Sequence, residues 1–175
     1  LTTGCDSIGL TANDSSTVFS HGIASGDPDQ KSIVIWTRVS GADQDIPCDW
    51  FVASDAGFKN IVSQGQFVTN KKRDFTVKVL VDNLASGGKY FYRFEANGTS
   101  SMIGQTQTLP TGHVEELVLA IATCSNYPFG YFNAYESIAN DSEIDLVIHL
   151  GDYIYEYGTD GYGGETGKRI GRNHH

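Results

Sequence analysis

The sequence predicts an α+β chain of two domains: a two-sheet β-sandwich followed by the start of an α/β layered domain. Short alternating runs with turn residues between them fill residues 18–109. Two strongly apolar runs, over 116–123 and 144–150, replace that pattern in the second half and flank a stretch with helical periodicity. The two patterns meet at Leu109-Pro110-Thr111-Gly112, a Pro/Gly hinge. The expected divisions are a tether over residues 1–17, a sandwich over 18–109 and a second domain over 113–175.

Within the sandwich, Ile33, Ile35 and Thr37 share one face of a strand, and Val34, Trp36 and Arg38 share the other. Further strands are expected over 48–53, 66–69, 75–81, 89–96 and 101–108. Turns are expected at Asn70-Lys71-Lys72 and around Asn97-Gly98. Cys48 reads as a small buried hydrophobe, and Lys71-Lys72-Arg73 as a solvated hairpin tip. Leu84 stands six residues before Tyr90. That spacing resembles the tyrosine corner of fibronectin III and immunoglobulin-like domains, where the phenol bonds back to the crossover backbone. Trp36, Phe51, Tyr92 and Phe94 read as core and sheet surface rather than as a ligand site, and His21 as structural.

Composition narrows the function. Twelve Lys and Arg against 21 Asp and Glu give a net charge of −9. Phosphate affinity comes from clustered basic residues, so sequence-specific or general nucleic-acid binding is not expected. Apolar content of 39% supports a core, and no apolar run approaches the ~20 residues of a membrane span. Three cysteines, Cys5, Cys48 and Cys124, cannot all pair internally. Thr3-Gly4-Cys5 resembles a bacterial lipoprotein cleavage box, which makes Cys5 a candidate lipid anchor with residues 6–16 as a tether. An ordinary frayed terminus with a chance cysteine fits the same residues. The chain stops inside a glycine-rich loop at His175 and reads as a fragment.

In the second domain, residues 117–122 form a strand expected to be buried on both faces, followed by a loop from Cys124 to Gly130. Residues 131–140 read as a helix with Phe132, Tyr135, Ile138 and Ala139 on one face. A second buried strand over 144–150 ends in Gly151-Asp152. Chemistry in layered α/β domains gathers where strands end at their carboxyl edge. Cys124 closes the first strand and Asp152 the second, so neighbouring parallel strands would bring both within reach of one metal ion. His149 reads as a satisfied core histidine, and Asn126 as either a turn former or a ligand. The segment from Gly161 to Arg169 fails two phosphate-loop patterns, with Tyr162 and Arg169 wrong for one and Thr166 for the other, and reads as a surface loop.

The run Leu146-Val147-Ile148-His149-Leu150-Gly151-Asp152-Tyr153-Ile154-Tyr155-Glu156 resembles the second signature of the calcineurin-like metallophosphoesterases. Its Gly-Asp-Tyr-Ile-Tyr-Glu part resembles the PhoD-like alkaline phosphatase/phosphodiesterase branch. Ala122-Thr123-Cys124-Ser125-Asn126-Tyr127-Pro128-Phe129-Gly130-Tyr131-Phe132 resembles that branch's first metal-site loop. Two stretches, from Phe19 to Pro28 and from Val34 to Val39, resemble its N-terminal sandwich. The resemblance implies that residues 113–175 are the N-terminal part of a metallophosphoesterase catalytic domain. It implies a ferric ion (Fe3+) held by Cys124, Asp152 and Tyr155, with the aspartate bridging to calcium (Ca2+). Most of the superfamily has Asp-x-His at the first strand end; this branch has a cysteine there. Thiolate and phenolate suit a high-valent iron, and oxygen ligands suit calcium.

The implied activity is hydrolysis of extracellular phosphate esters, diesters or monoesters, by in-line attack of a metal-activated water or hydroxide, releasing phosphate. Arg169 and His174 follow the metal motif and are the candidate phosphate contacts. The implied protein is a monomer that is secreted, periplasmic or held at the cell surface. The family's later histidine motifs are not in this sequence, so the 175-residue polypeptide alone is expected to bind metal poorly and turn over little. The rival expectation is a non-catalytic surface binding module with a degenerate α/β segment, because sandwich folds host many roles.

Overall fold

The computed structural model describes residues 18–128 and 131–157. The tether over 1–17, with Cys5, lies outside the described residues, as do Arg169 and His174. The chain divides into two compact units, one ending at Gly112 and one beginning at His113. Among the described residues no helix is long and apolar enough to cross a membrane.

The first unit is a β-sandwich. One sheet has three strands, β1 (Ile23–Gly26), β2 (Ile33–Arg38) and β5 (Thr76–Val81), in the order β1-β2-β5. The other contains β3 (Ile46–Ala53), β4 (Ile61–Thr69), β6 (Lys89–Ala96), β7 (Thr99–Ser100) and β8 (Gly104–Gln107). Its order is β4-β3-β6, and both β7 and β8 pair with β6. All pairings in this unit are antiparallel.

The alternation in β2 does what period two requires. Ile33, Ile35 and Thr37 are buried while Val34, Trp36 and Arg38 are half-exposed. Together with Val52, Val77, Val81 and Phe94, Ile33 and Ile35 form the heart of the core. Each such side chain contributes about 1.5–3 kcal/mol by leaving water. Thr37 is buried because its hydroxyl donates to the Gly22 carbonyl at 2.9 Å. Cys48 is fully buried, and burial pushes its thiol up to about 12, with the Asp49 charge adding to the effect.

The tyrosine corner forms. Tyr90 Oη accepts from the Ala85 N–H at 2.8 Å and donates to the Ala85 carbonyl at 3.3 Å. The Lys71–Arg73 segment is a turn of 3-10 helix, with the Asn70 side chain accepting from Lys72 N at its start.

Several boundaries differ from expectation. Strand β1 was not anticipated, because Ile23-Ala24-Ser25-Gly26 lacks a clear apolar alternation. Strand β4 starts at Ile61, five residues before the expected start. Gly65 sits at its centre directly opposite Trp50, and a Cβ there would lie 2.7 Å from the indole ring. The glycine that obscures the strand is therefore the residue its neighbour requires. The expected strand over 101–108 is interrupted: Ser101 turns inward, and its hydroxyl accepts from Phe94 N and donates to the Met102 carbonyl.

The second unit contains β9 (Leu119–Ala122), α1 (Asn133–Asn140) and β10 (Leu146–His149). The two strands pair in parallel, with Leu119 opposite Leu146 and Ala122 opposite His149. At their start Asp145 clasps Val118: its N–H donates to the Val118 carbonyl and its carboxylate accepts from Val118 N. Burial of these strands on both faces is corrected by the structure. Ile121 is 62% exposed and Val147 46%. Two strands and one short helix among the described residues cannot cover both faces of even a two-stranded sheet.

Candidate metal centre

Both strands of the parallel pair end in residues that leave β geometry, and the pairing continues past them. Leu150 N donates to the Ala122 carbonyl, Cys124 N to Gly151, Ser125 N to Asp152, Tyr155 N to Ser125 and Tyr127 N to Tyr155. Asn126 and Tyr155 form an isolated parallel bridge. The two loops are thus zipped together over the segment that carries the candidate ligands. Cys124 and Asp152 both have left-handed backbone, at φ 59 and 45, and Gly151 has φ 115. Left-handed conformations in residues with a Cβ are costly and concentrate where a side chain must be aimed.

The aim is toward one point. Cys124 Sγ lies 3.8 Å from Asp152 Oδ2 and 3.7 Å from Tyr155 Oη, and Tyr155 Oη donates to Asp152 Oδ2 at 2.6 Å. The Thr123 hydroxyl sits 3.1 Å from the sulfur and donates to the Gly151 carbonyl at 3.2 Å. Cys124 and Asp152 are exposed on the loops, and Tyr155 is half-buried. The hydrogen bond to Asp152, reinforced by Cys124, holds the Tyr155 phenol well above its ordinary range, because two acceptors favour its protonated form.

The donor chemistry fits a metal ion. Two donors ~2.0–2.3 Å from one ion at angles near 90–110° stand roughly 3–3.7 Å apart, close to the two sulfur–oxygen separations here. Among the described residues no group of three His, Cys, Asp or Glu side chains could hold an ion. The third member of this cluster is a phenol. Nearby, Asn126 Oδ1 is buried without a hydrogen-bond partner among the described residues.

Of the other residues singled out, His149 is half-buried at the end of β10. Its Nε2 is 3.0 Å from Tyr135 Oη, and its Nδ1 accepts from Gly151 N at 3.4 Å. Its ring stacks near-parallel to Tyr135 and tilts against Tyr153. Tyr157 stacks on Tyr155 at 5.6 Å between ring centres. His21 stays in the sandwich, within hydrogen-bond range of Ser20 and Ser40. Sequence reasoning did not anticipate Ser125 or Tyr135 beside the loops. Ser125 Oγ and Tyr135 Oη are hydrogen-bonded, which joins helix α1 to the first loop.

Comparison with known proteins covers most of the chain. The family described as PhoD-like phosphatase, N-terminal domain, matches residues 4–110, and PhoD-like phosphatase matches residues 119–175. Over 174 residues the chain is 38% identical to alkaline phosphatase D of Bacillus subtilis (strain 168), covering 94% of this chain and 30% of that protein. A solved structure of PhoD is similar with a TM-score of 0.83 and 38% identity, covering 92% of this chain and 33% of that one. The chain therefore spans about a third of the length of these relatives.

Proposed function

The chain belongs to the PhoD-like phosphatase family, and from that premise we propose that it supplies part of the metal centre of an extracellular phosphoesterase. The substrates are phosphate diesters or monoesters, and the product is phosphate. One observation carries the proposal: thiol, carboxylate and phenol from two zipped loops converge within 3.8 Å of one another. In this reading residues 113–175 begin a metallophosphoesterase domain, and residues 18–109 are its sandwich partner.

Cys124 and Tyr155 would hold iron (Fe3+), and Asp152 would be shared between iron and calcium (Ca2+). When bound, such ions polarise phosphoryl oxygens and lower the pKa of water for in-line attack on phosphorus. The chain's own residues do the positioning. The left-handed turns at Cys124 and Asp152 point both side chains at the same space, and the backbone ladder keeps them there. Tyr155 directs its proton toward Asp152 and would release it to ligate. The net charge of −9 is compatible with an anionic substrate because the ions provide the local positive charge. The sequence around Cys5 supports secretion with a lipid anchor.

The test is metal analysis and hydrolysis of a bis-aryl phosphate by the full-length protein and its Cys124→Ser, Asp152→Asn and Tyr155→Phe variants. Each substitution is expected to lower kcat/KM by more than about 100-fold and to reduce bound metal. Unchanged metal content and turnover in all three variants would sink the proposal. Because the three donors found among the described residues leave a coordination sphere of four to eight incomplete, the 175-residue polypeptide alone is expected to retain metal poorly.

A further inference from the structure

Helix α1 contributes no candidate ligand, yet it is tied to both loops of the cluster. Gly151 N donates to His149 Nδ1 at 3.4 Å, which places the ring proton on Nε2. That N–H then donates to Tyr135 Oη at 3.0 Å. The phenol has one proton of its own, and the remaining acceptor beside it is Ser125 Oγ. The bonds therefore run in one direction, from the Gly151 backbone through His149 and Tyr135 to Ser125. Gly151 immediately precedes Asp152, and Ser125 immediately follows Cys124.

Ser125 is also the joint of the backbone ladder. Its N–H donates to the Asp152 carbonyl at 3.2 Å and its carbonyl accepts from Tyr155 N at 2.6 Å. One residue thus contacts the backbone of two candidate ligands, adjoins the third and is held from the side by a phenol on α1. Tyr135 makes this tie through its hydroxyl. Its ring already packs against Phe132 at 5.9 Å between centres, a contact phenylalanine would keep.

We propose that the His149–Tyr135–Ser125 hydrogen-bonded chain is a positioning device that sets the spacing between the Cys124 loop and the Asp152–Tyr155 loop. The inference rests on the metal-centre reading above. Residues that orient ligands without touching the ion typically change metal affinity or activity by about 10–100-fold when altered. Tyr135 and Ser125 act as positioning residues of this kind, and their effect is on how long the centre holds its ion.

The experiment uses the full-length protein, with metal content measured by elemental analysis during challenge with a chelator. Tyr135→Phe removes one oxygen and keeps the ring. It is expected to lose metal about 10–100-fold faster than the unaltered protein, with an unchanged far-ultraviolet circular dichroism spectrum. Ser125→Ala is expected to do the same and decides the matter should Tyr135→Phe fail to fold. The double variant is expected to lose metal no faster than the more affected single one, since both substitutions break the same bond. Metal retention equal to the unaltered protein in the single variants overturns the inference, as does a double variant whose effect is the product of the two. An unaltered protein that holds no metal overturns the metal-centre reading itself, a result distinct from either.

Discussion

Tyr90→Phe removes a single hydroxyl from the sandwich, and the structure fixes what is lost. The Ala85 N–H, which donates to that oxygen at 2.8 Å, loses its partner. The Ala85 carbonyl does not, because Thr108 Oγ1 still donates to it at 2.6 Å. One hydrogen bond is worth about 0.5–1.5 kcal/mol, and leaving a buried donor unsatisfied costs about 1–3 kcal/mol. Ala85 is itself exposed, so water can partly replace the phenol and the lower part of that range applies. The expected loss is about 1–2 kcal/mol. For a domain of this size that lowers Tm by roughly 4–8 °C per kcal/mol. Both tryptophans, Trp36 and Trp50, lie in strands of this unit, so tryptophan fluorescence, excited selectively over tyrosine, reports on the sandwich during urea unfolding. A shift in midpoint corresponding to less than about 0.5 kcal/mol would refute the reasoning. It would mean that the corner is held by packing of the ring rather than by its hydroxyl.

Two further outcomes follow from the same unit and its neighbour. Asp55 accepts from the N–H groups of Asn60, Lys59 and Gly57, and these bonds, Asn60's foremost, hold its carboxyl below the ordinary range. A native value below the unfolded one means that the folded state binds fewer protons. That stability is present above the unfolded value of about 3.9 and is lost as pH falls through the lowered native value. Asp55→Asn keeps an acceptor but cannot titrate, so urea midpoints at pH 3 and pH 7 should differ less than in the unaltered chain; an identical difference would count against it. In a Cys5→Ser background, one thiol should react rapidly with an aromatic disulfide reagent in the native chain and the second only in denaturant. Cys124 is exposed while Cys48 is sealed in the core with its thiol pushed up to about 12. Prompt native labelling of both would contradict the core described above.

What the sequence revealed depended on how much of each feature is local. The alternation of Ile33, Ile35 and Thr37 is local, and the strand follows it. Strand β4 was half hidden because Gly65 interrupts its pattern, and its reason lies on another strand, under Trp50. Apolar content alone suggested that β9 and β10 are covered on both faces, but content does not say what covers a face. Cys124 and Asp152 were legible because strand ends have a characteristic polarity and chemistry. The Ser125–Tyr135–His149 chain was not, since its members stand 10 and 14 positions apart and meet only once the helix folds back. Tyr135 looked like one more apolar residue on an amphipathic face.

The geometry of the cluster also bears on when it is built. Left-handed backbone at Cys124 and Asp152 costs about 1–2 kcal/mol each. Gly151, at φ 115, holds a conformation that a side chain would make costlier still. Four backbone hydrogen bonds join the two loops over the same stretch, each worth about 0.5–1.5 kcal/mol. The ladder therefore offsets the turns and holds the three groups together. In that arrangement the Tyr155 proton bridges the phenol and the carboxylate. In the metal centre proposed above, a cation would displace that proton rather than reorganise a loop. Under the proposed function, metal uptake by the full-length protein is expected to be favoured as pH rises, and uptake that does not change with pH would count against Tyr155 as a ligand.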